Sequence, residues 1–158
     1  MKKICAIVLL LGAQSAFSMD ADNPDLPVPL YLQLTQACEF GNQTTVESLL
    51  ARGADANAQN AYGQTPLTLV FHGRLDTEGR RKMVRTLLAA KADANLTSRE
   101  TGNYPLILAA NYNDWATIKS LLDANANVHA TNKSGKTALD FAADDEVKAF
   151  LQAAMQPK

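Results

Sequence analysis

The sequence predicts an all-α repeat solenoid, built of helix-turn-helix units joined by β-turn or hairpin fingers. Three recurring blocks carry that expectation. Gly53-Ala54-Asp55-Ala56-Asn57 returns as Lys91-Ala92-Asp93-Ala94-Asn95 and as Asn125-Ala126-Asn127-Val128-His129, the copies starting 38 and 34 residues apart. Seven residues ahead of each copy begins an apolar pattern, at Val46, Val84 and Ile118, with Val147-Lys148-Ala149-Phe150-Leu151 as a fourth instance. Upstream of these lie Gly63-Gln64-Thr65-Pro66-Leu67, Gly102-Asn103-Tyr104-Pro105-Leu106 and Gly135-Lys136-Thr137-Ala138-Leu139.

The amino terminus reads as a secretory signal. Lys2 and Lys3 precede an apolar or small run from Ile4 to Ala13, the layout of a positive n-region followed by an h-region. A spanning helix needs roughly 20 apolar residues, and this run stops at Gln14, so no stable membrane anchor is expected. Small side chains at Ala16 and Ser18 suit a signal peptidase, which places the cut between Ser18 and Met19. Residues 1–18 are thus assigned to a signal peptide, and the mature protein to the periplasm, with secretion as the other destination of such a signal. Residues 19–28 carry Asp20, Asp22 and Asp25, and Pro24, Pro27 and Pro29 crowd the same stretch. Proline density favours extended backbone over helix, so this segment is expected to be a flexible acidic leader.

Beyond it, apolar residues at i, i+3 and i+4 mark the buried stripe of a helix, as in Val46, Leu49 and Leu50. Thr65-Pro66 is a helix start: the threonine accepts a backbone N–H, and proline at the first helical position gives up a donor that has no partner there. At this level the chain closely resembles the ankyrin-repeat family, which pairs a β-turn finger with two antiparallel helices over ~33 residues. Thr65-Pro66-Leu67 and Gly53-Ala54-Asp55 match its two best-known segments, and the resemblance runs from about Pro29 to Gln152. It implies a repeat domain over 29–156, with units at about 29–58, 59–96, 97–130 and 131–156.

Departures from the family pattern are specific. The histidine expected after Pro-Leu is replaced by Thr68, Ile107 and Asp140, so its hydrogen bond to the threonine is expected to be lost. The spacing between helix markers is 12 residues from Leu34 to Val46 and from Leu106 to Ile118, but 17 from Leu67 to Val84. Five extra residues therefore fall between the helices of unit two, around His72 to Arg81. From Leu139 to Val147 the spacing is 8, which clips the last unit. The first unit lacks a finger. End repeats of a solenoid must differ because each has one face without a neighbour, and a monomer is expected.

Chemistry was sought and not found. His72 and His129 are the two histidines, with no second ligand at metal spacing, and no glycine-rich phosphate loop occurs. Asp144, Asp145 and Glu146 read as solvated charge, and Cys38 as a small buried hydrophobe inside a helix. Removing Lys2 and Lys3 leaves 13 basic residues against 16 acidic, without the positive field that nucleic-acid binding needs. No cofactor, metal, catalytic residue or nucleic-acid partner is expected. The basic cluster Arg74, Arg80, Arg81, Lys82 and Arg85 is the one local charge excess, read first as a solvated loop and alternatively as a site for an acidic partner or anionic lipid.

The resemblance implies that finger tips and first helices line a concave binding face. Transferred position by position, the candidate contacts are Glu39 and Phe40 after the first helix, Tyr62 and Gln64 in the first finger, and His72 beyond it. Arg99, Glu100 and Asn103 follow in the second finger, then Asn111 and Tyr112, then Lys133, Lys136 and Asp144. Phe40, Tyr62 and Tyr112 stand out because large aromatics are the usual interface anchors. The expected function is a non-catalytic module that binds a protein partner in the periplasm. An immunity protein or inhibitor of an exported toxin or hydrolase is the specific alternative, ahead of an envelope scaffold or an enzyme.

Overall fold

In the computed structural model, which describes residues 19–20, 23–73, 75–99 and 101–156, the repeat blocks become eight helices. They are α1 (Leu30–Glu39), α2 (Gln43–Ala51), α3 (Pro66–Leu69), α4 (Thr77–Ala89), α5 (Pro105–Asn111), α6 (Trp115–Asp123), α7 (Ala138–Phe141) and α8 (Asp145–Met155). The first helices of the units, α1, α3, α5 and α7, touch in that order, and α2, α4 and α6 form a second layer behind them. The signal peptide expected at 1–18 lies outside the described residues. Ahead of α1, the backbone of β2 (Asn23–Pro27) is extended and pairs antiparallel with β1 (Met19–Asp20). The extended backbone agrees with the proline density, and no sequence signal announced the pairing.

The core lies between the layers, and its periodicity explains the repeated blocks. Leu34, Val46 and Leu49 of unit one are fully buried, as are Leu67, Val84 and Leu87, then Leu106, Ile118 and Leu121. In the clipped last unit Val147 and Leu151 keep this role while Leu139 is half-buried. Cys38 is also buried, and burial pushes its thiol up to about 12, which leaves it without a thiolate at neutral pH.

Each position of the Gly-Ala-Asp-Ala-Asn block has a separate physical reason. Gly53, Lys91 and Asn125 adopt positive φ of 87°, 67° and 62°, the left-handed residue that ends a helix. In all three copies the two N–H groups that follow close back on the last turn. Lys91 donates to Leu88 and Ala92 to Leu87, as Gly53 does to Leu50 and Ala54 to Leu49. The alanines Ala54, Ala56, Ala92 and Ala94 are buried. The carboxylates Asp55 and Asp93 accept the N–H two residues on, each at 2.8 Å, the Asx-turn use of these side chains.

The last position of the block joins one unit to the next. Asn57 donates Nδ2–H to the carbonyl of Lys91 at 3.1 Å and accepts the N–H of Asp93 at 2.7 Å. Asn95 does the same to Asn125 and Asn127, at 3.1 and 2.8 Å. His129 occupies this position in the third turn, where no further turn follows. Its ring is exposed and makes no hydrogen bond among the described residues.

Two expectations need correction. The family histidine is absent, but its hydrogen bond is replaced rather than lost at two of the three sites. Thr65 N–H donates to the Thr68 hydroxyl at 2.9 Å and Thr68 N–H to the Thr65 hydroxyl at 3.2 Å, a reciprocal cap. At the last site Thr137 donates both its N–H and its hydroxyl to Asp140, at 2.7 and 2.8 Å, and these bonds hold the carboxyl below its usual range. Ile107 has no polar atom to offer, and the start of α5 has no side-chain cap. The second correction concerns the insertion. Helix α4 has 13 residues against 9 in α2 and α6, so most of the extra chain adds one helical turn before Val84 instead of enlarging a loop.

Lys91 is the one non-glycine, non-asparagine residue at positive φ among the described residues. A Cβ is disfavoured there, so Lys91→Gly is expected to raise stability by about 0.5–1 kcal/mol. Thermal melting checks it, and a lower midpoint would show that the turn tolerates lysine without strain.

Candidate functional site

Fingers grow from an asparagine that folds its own turn. Asn60 Oδ1 accepts the N–H groups of Tyr62 and Gln64, at 3.0 and 2.9 Å, and Asn132 Oδ1 those of Ser134 and Lys136, at 2.9 and 3.1 Å. Glycine follows at Gly63 and Gly135, with φ of 69° and 73°. Neighbouring fingers stack main chain on main chain: Arg99 N–H donates to Gly63 O at 3.2 Å and Lys133 N–H to Thr101 O at 3.5 Å. Close approach is the second reason for glycine at Gly63, because a Cβ there would lie 2.4 Å from that of Arg99.

The sequence-predicted row divides into two edges. Fingers lead into the starts of α3, α5 and α7, so Tyr62, Arg99, Lys133 and Lys136 share one edge. Phe40, His72, Asn111, Tyr112 and Asp144 follow the first helices and share the other. Contacts between successive junctions fix that second edge: Tyr112 reaches back to Phe71, and Asn113 Oδ1 accepts the N–H groups of Ala143 and Asp144 at 2.8 and 2.9 Å. The seven residues of α5, the longest of the helices that a finger leads into, separate the edges by about 10 Å.

Tyr62 and Phe40 are 71% and 74% exposed and enter no aromatic pair among the described residues. Glu39, His72, Arg99, Asn111, Lys133, Lys136 and Asp144 are exposed as well. Gln64 and Asn103 are half-buried and tied into the fingers, Gln64 Oε1 by Asn60 at 3.0 Å and Asn103 Oδ1 by Asn132 at 2.9 Å. Asp144 caps α8 by accepting from Glu146 and Val147. Glu100 and Arg74 lie outside the described residues.

Tyr112 is 45% exposed and is also tied to a neighbouring unit. Its hydroxyl donates to the carbonyl of Phe71 at 2.8 Å, its ring leans on that of Phe71 at 6.2 Å, and the Arg80 guanidinium covers it at 3.9 Å. The side chain is a latch between units two and three that still presents part of its ring to solvent. Sequence reasoning missed this because the partners come from another repeat.

Of the basic cluster, Arg80 and Arg81 are drawn into the fold, whereas Lys82 and Arg85 stay exposed in surface ion pairs. Arg80 is 7% exposed, stacked on Tyr112. Arg81 Nε reaches Asp114 at 2.8 Å, and that carboxylate, 1% exposed, also accepts the Thr117 hydroxyl at 2.7 Å. Lys82 pairs with Glu47 at 3.8 Å and Arg85 with Glu78 at 3.3 Å. A second feature unread in the sequence is Trp115, half-exposed at the start of α6, its ring 5.4 Å from Phe150 of α8. Its place directly after the capping Asp114 was the available signal.

Nothing among the described residues groups three or more His, Cys, Asp or Glu side chains as metal ligands, and no helix there is long and apolar enough to cross a membrane. What the edges offer is side chains for contact: exposed aromatics, cationic finger tips and acidic junctions.

Comparison with known proteins agrees with this architecture. A family profile described as ankyrin repeats (3 copies) matches residues 76–156, and another, ankyrin repeats (many copies), matches residues 34–78. The chain is 30% identical over 154 residues to the mitochondrial disaggregase of Bos taurus, covering 75% of this chain and 22% of that protein. It is 33% identical over 107 residues to neurogenic locus notch homolog protein 1 of Xenopus laevis, covering 68% and 4%. To a transient receptor potential cation channel subfamily A member 1 homolog of Caenorhabditis elegans it is 31% identical over 121 residues, covering 73% and 9%. The chain thus spans under a quarter of each of these relatives. Its spacing, its stacked fingers and the two profile matches make it a member of the ankyrin-repeat family.

Proposed function

We propose that this chain is a non-catalytic binding module that holds a protein partner against its finger edge, with Tyr62 as the aromatic anchor. Ankyrin repeats are protein–protein interaction modules, which gives the class. The observation that carries the finer reading is Tyr62 itself. It stands 71% exposed at the tip of a finger whose backbone is fixed by Asn60, so a large aromatic surface is held out at little entropic cost to binding. Phe40, at the far edge, is a second exposed anchor. The same reading places the module in the periplasm, supported by the Lys2-Lys3 start, the short apolar run and the small residues Ala16 and Ser18.

Capture of a partner by the full chain from a periplasmic extract, followed by calorimetry with variants, tests this. Tyr62→Ala is expected to weaken binding by more than ~1 kcal/mol with little change in melting temperature, whereas Lys119→Glu on the outer layer leaves affinity unchanged. Tyr112→Ala is expected to lower the melting temperature, because it removes a latch. Unchanged affinity for Tyr62→Ala with a loss for Lys119→Glu would move the binding face to the other layer. Turnover of a small molecule by the purified protein would remove the non-catalytic reading. Amino-terminal sequencing of the periplasmic form is expected to begin at Met19, and an intact Met1 there would contradict export by cleavage.

A further inference from the structure

The fold takes up part of the basic run in the sequence and gathers a second set of cations on the fingers. Arg80, Arg81, Lys82 and Arg85 are adjacent in the chain, yet each is met by a ring or a carboxylate of its own protein. Arg99, Lys133 and Lys136 are scattered in the chain, and finger stacking gathers them. Lys133 Nζ donates to the carbonyl of Arg99 at 2.6 Å, so the two side chains share one patch. Lys136 stands on the same finger as Lys133, its ammonium 6.0 Å from the Phe141 ring.

None of these three forms an ion pair among the described residues. Asp140 Oδ2 accepts both donors of Thr137, and the Lys136 ammonium lies close enough for its charge to help hold this carboxyl below its usual range. Glu100 is the single acidic residue in the sequence of the three fingers. The opposite edge has the reverse character, with Glu39, Asp76, Asp144, Asp145 and Glu146 exposed along the junctions. Four of these carboxylates have local reasons, since Asp76 and Asp144 cap helices and Asp145 and Glu146 lie in a first helical turn, where negative charge is favoured; Glu39, the last residue of α1, has none. Finger stacking accounts for the backbone of Arg99 and Lys133, and the Lys133 ammonium is partly spent on the Arg99 carbonyl. Neither that ammonium nor the Arg99 guanidinium meets a carboxylate among the described residues.

We infer that the finger edge receives an acidic segment of the partner protein, whose carboxylates meet Arg99, Lys133 and Lys136 while an apolar side chain covers Tyr62. This rests on the binding-module reading above and names the chemistry of its partner. Arg99 stacks on Gly63, which adjoins Tyr62, so the cationic patch and the aromatic anchor are continuous. A guanidinium takes a carboxylate through two parallel hydrogen bonds, and the ammonium groups add charge without fixed geometry. Exposed charges of this kind steer encounter and set specificity more than they add affinity, so the interaction is strongly weakened by salt.

The probe is a short synthetic peptide of glutamate and aspartate around a central leucine, added to isotope-labelled full chain at low ionic strength and followed residue by residue by NMR. Shifts are expected at the amides of Tyr62, Arg99, Lys133 and Lys136, fading as salt shortens the screening length from about 30 Å to below about 10 Å. Arg99→Gln with Lys136→Gln, which keeps the packing stems, is expected to weaken binding by about tenfold or more, and Lys119→Gln to leave it unchanged. Shifts centred on Lys82 and Arg85, an equal response to a lysine peptide, or tighter binding to phosphatidylglycerol vesicles would each overturn the assignment. So would no response to the acidic peptide. In that case a captured partner that still loses affinity with Tyr62→Ala would leave the binding-module reading standing, which separates the two failures.

Discussion

In a repeat solenoid each unit touches only its neighbours, so the interfaces between units decide whether the molecule behaves as one body. Here an asparagine side chain at the end of the first and of the second turn supplies a central polar link to the next unit. Asn57 and Asn95 each span the gap with two hydrogen bonds to the backbone of the following turn. A carboxamide has a donor and an acceptor on one short arm, which is why asparagine suits the position. The backbone groups it satisfies belong to a left-handed helix end, where N–H and C=O groups otherwise lack partners. With the turns held in register, the second helices align behind them and the fingers stack in front.

Other links follow the same rule of joining consecutive units. Arg81 to Asp114 and Tyr112 to Phe71 both fasten unit two to unit three, and the extra turn of α4 is what brings Arg80 and Arg81 within reach. Asn113 then satisfies two N–H groups of the shortened junction between α7 and α8. The links of both irregular units thus converge on the regular third unit, which supplies Tyr112, Asn113 and Asp114. Insertion and clipping are tolerated because a neighbour supplies the missing partners.

That rule also explains which features the sequence revealed. Periodicity exposed the repeats, the buried positions at Leu49, Leu87 and Leu121, and the left-handed Lys91, because each of these is set by local backbone geometry and a stripe of burial. Tyr62 and Phe40 were legible as exposed aromatics for the same reason. The links made by Tyr112, Arg81 and Lys82 are not legible in the sequence, because their partners lie a whole repeat away at Phe71, Asp114 and Glu47. The replacement of the missing histidine by Thr68 and Asp140 was within local range. It was overlooked because a hydroxyl or carboxylate three residues into a helix was compared with the family pattern instead of with the N–H and hydroxyl groups of Thr65 and Thr137.

The asparagine links themselves admit the most direct test. Trp115 is the single tryptophan and lies beyond the second link, so its fluorescence reports the carboxy-terminal units while circular dichroism reports all helices. Chemical unfolding of Asn95→Ala should lose about 1–3 kcal/mol, the worth of two hydrogen bonds, and the two signals, coincident in the parent protein, should separate. Coincident transitions at an unchanged midpoint in Asn95→Ala would show that apolar packing alone holds the units together, and would contradict the role given to the asparagines.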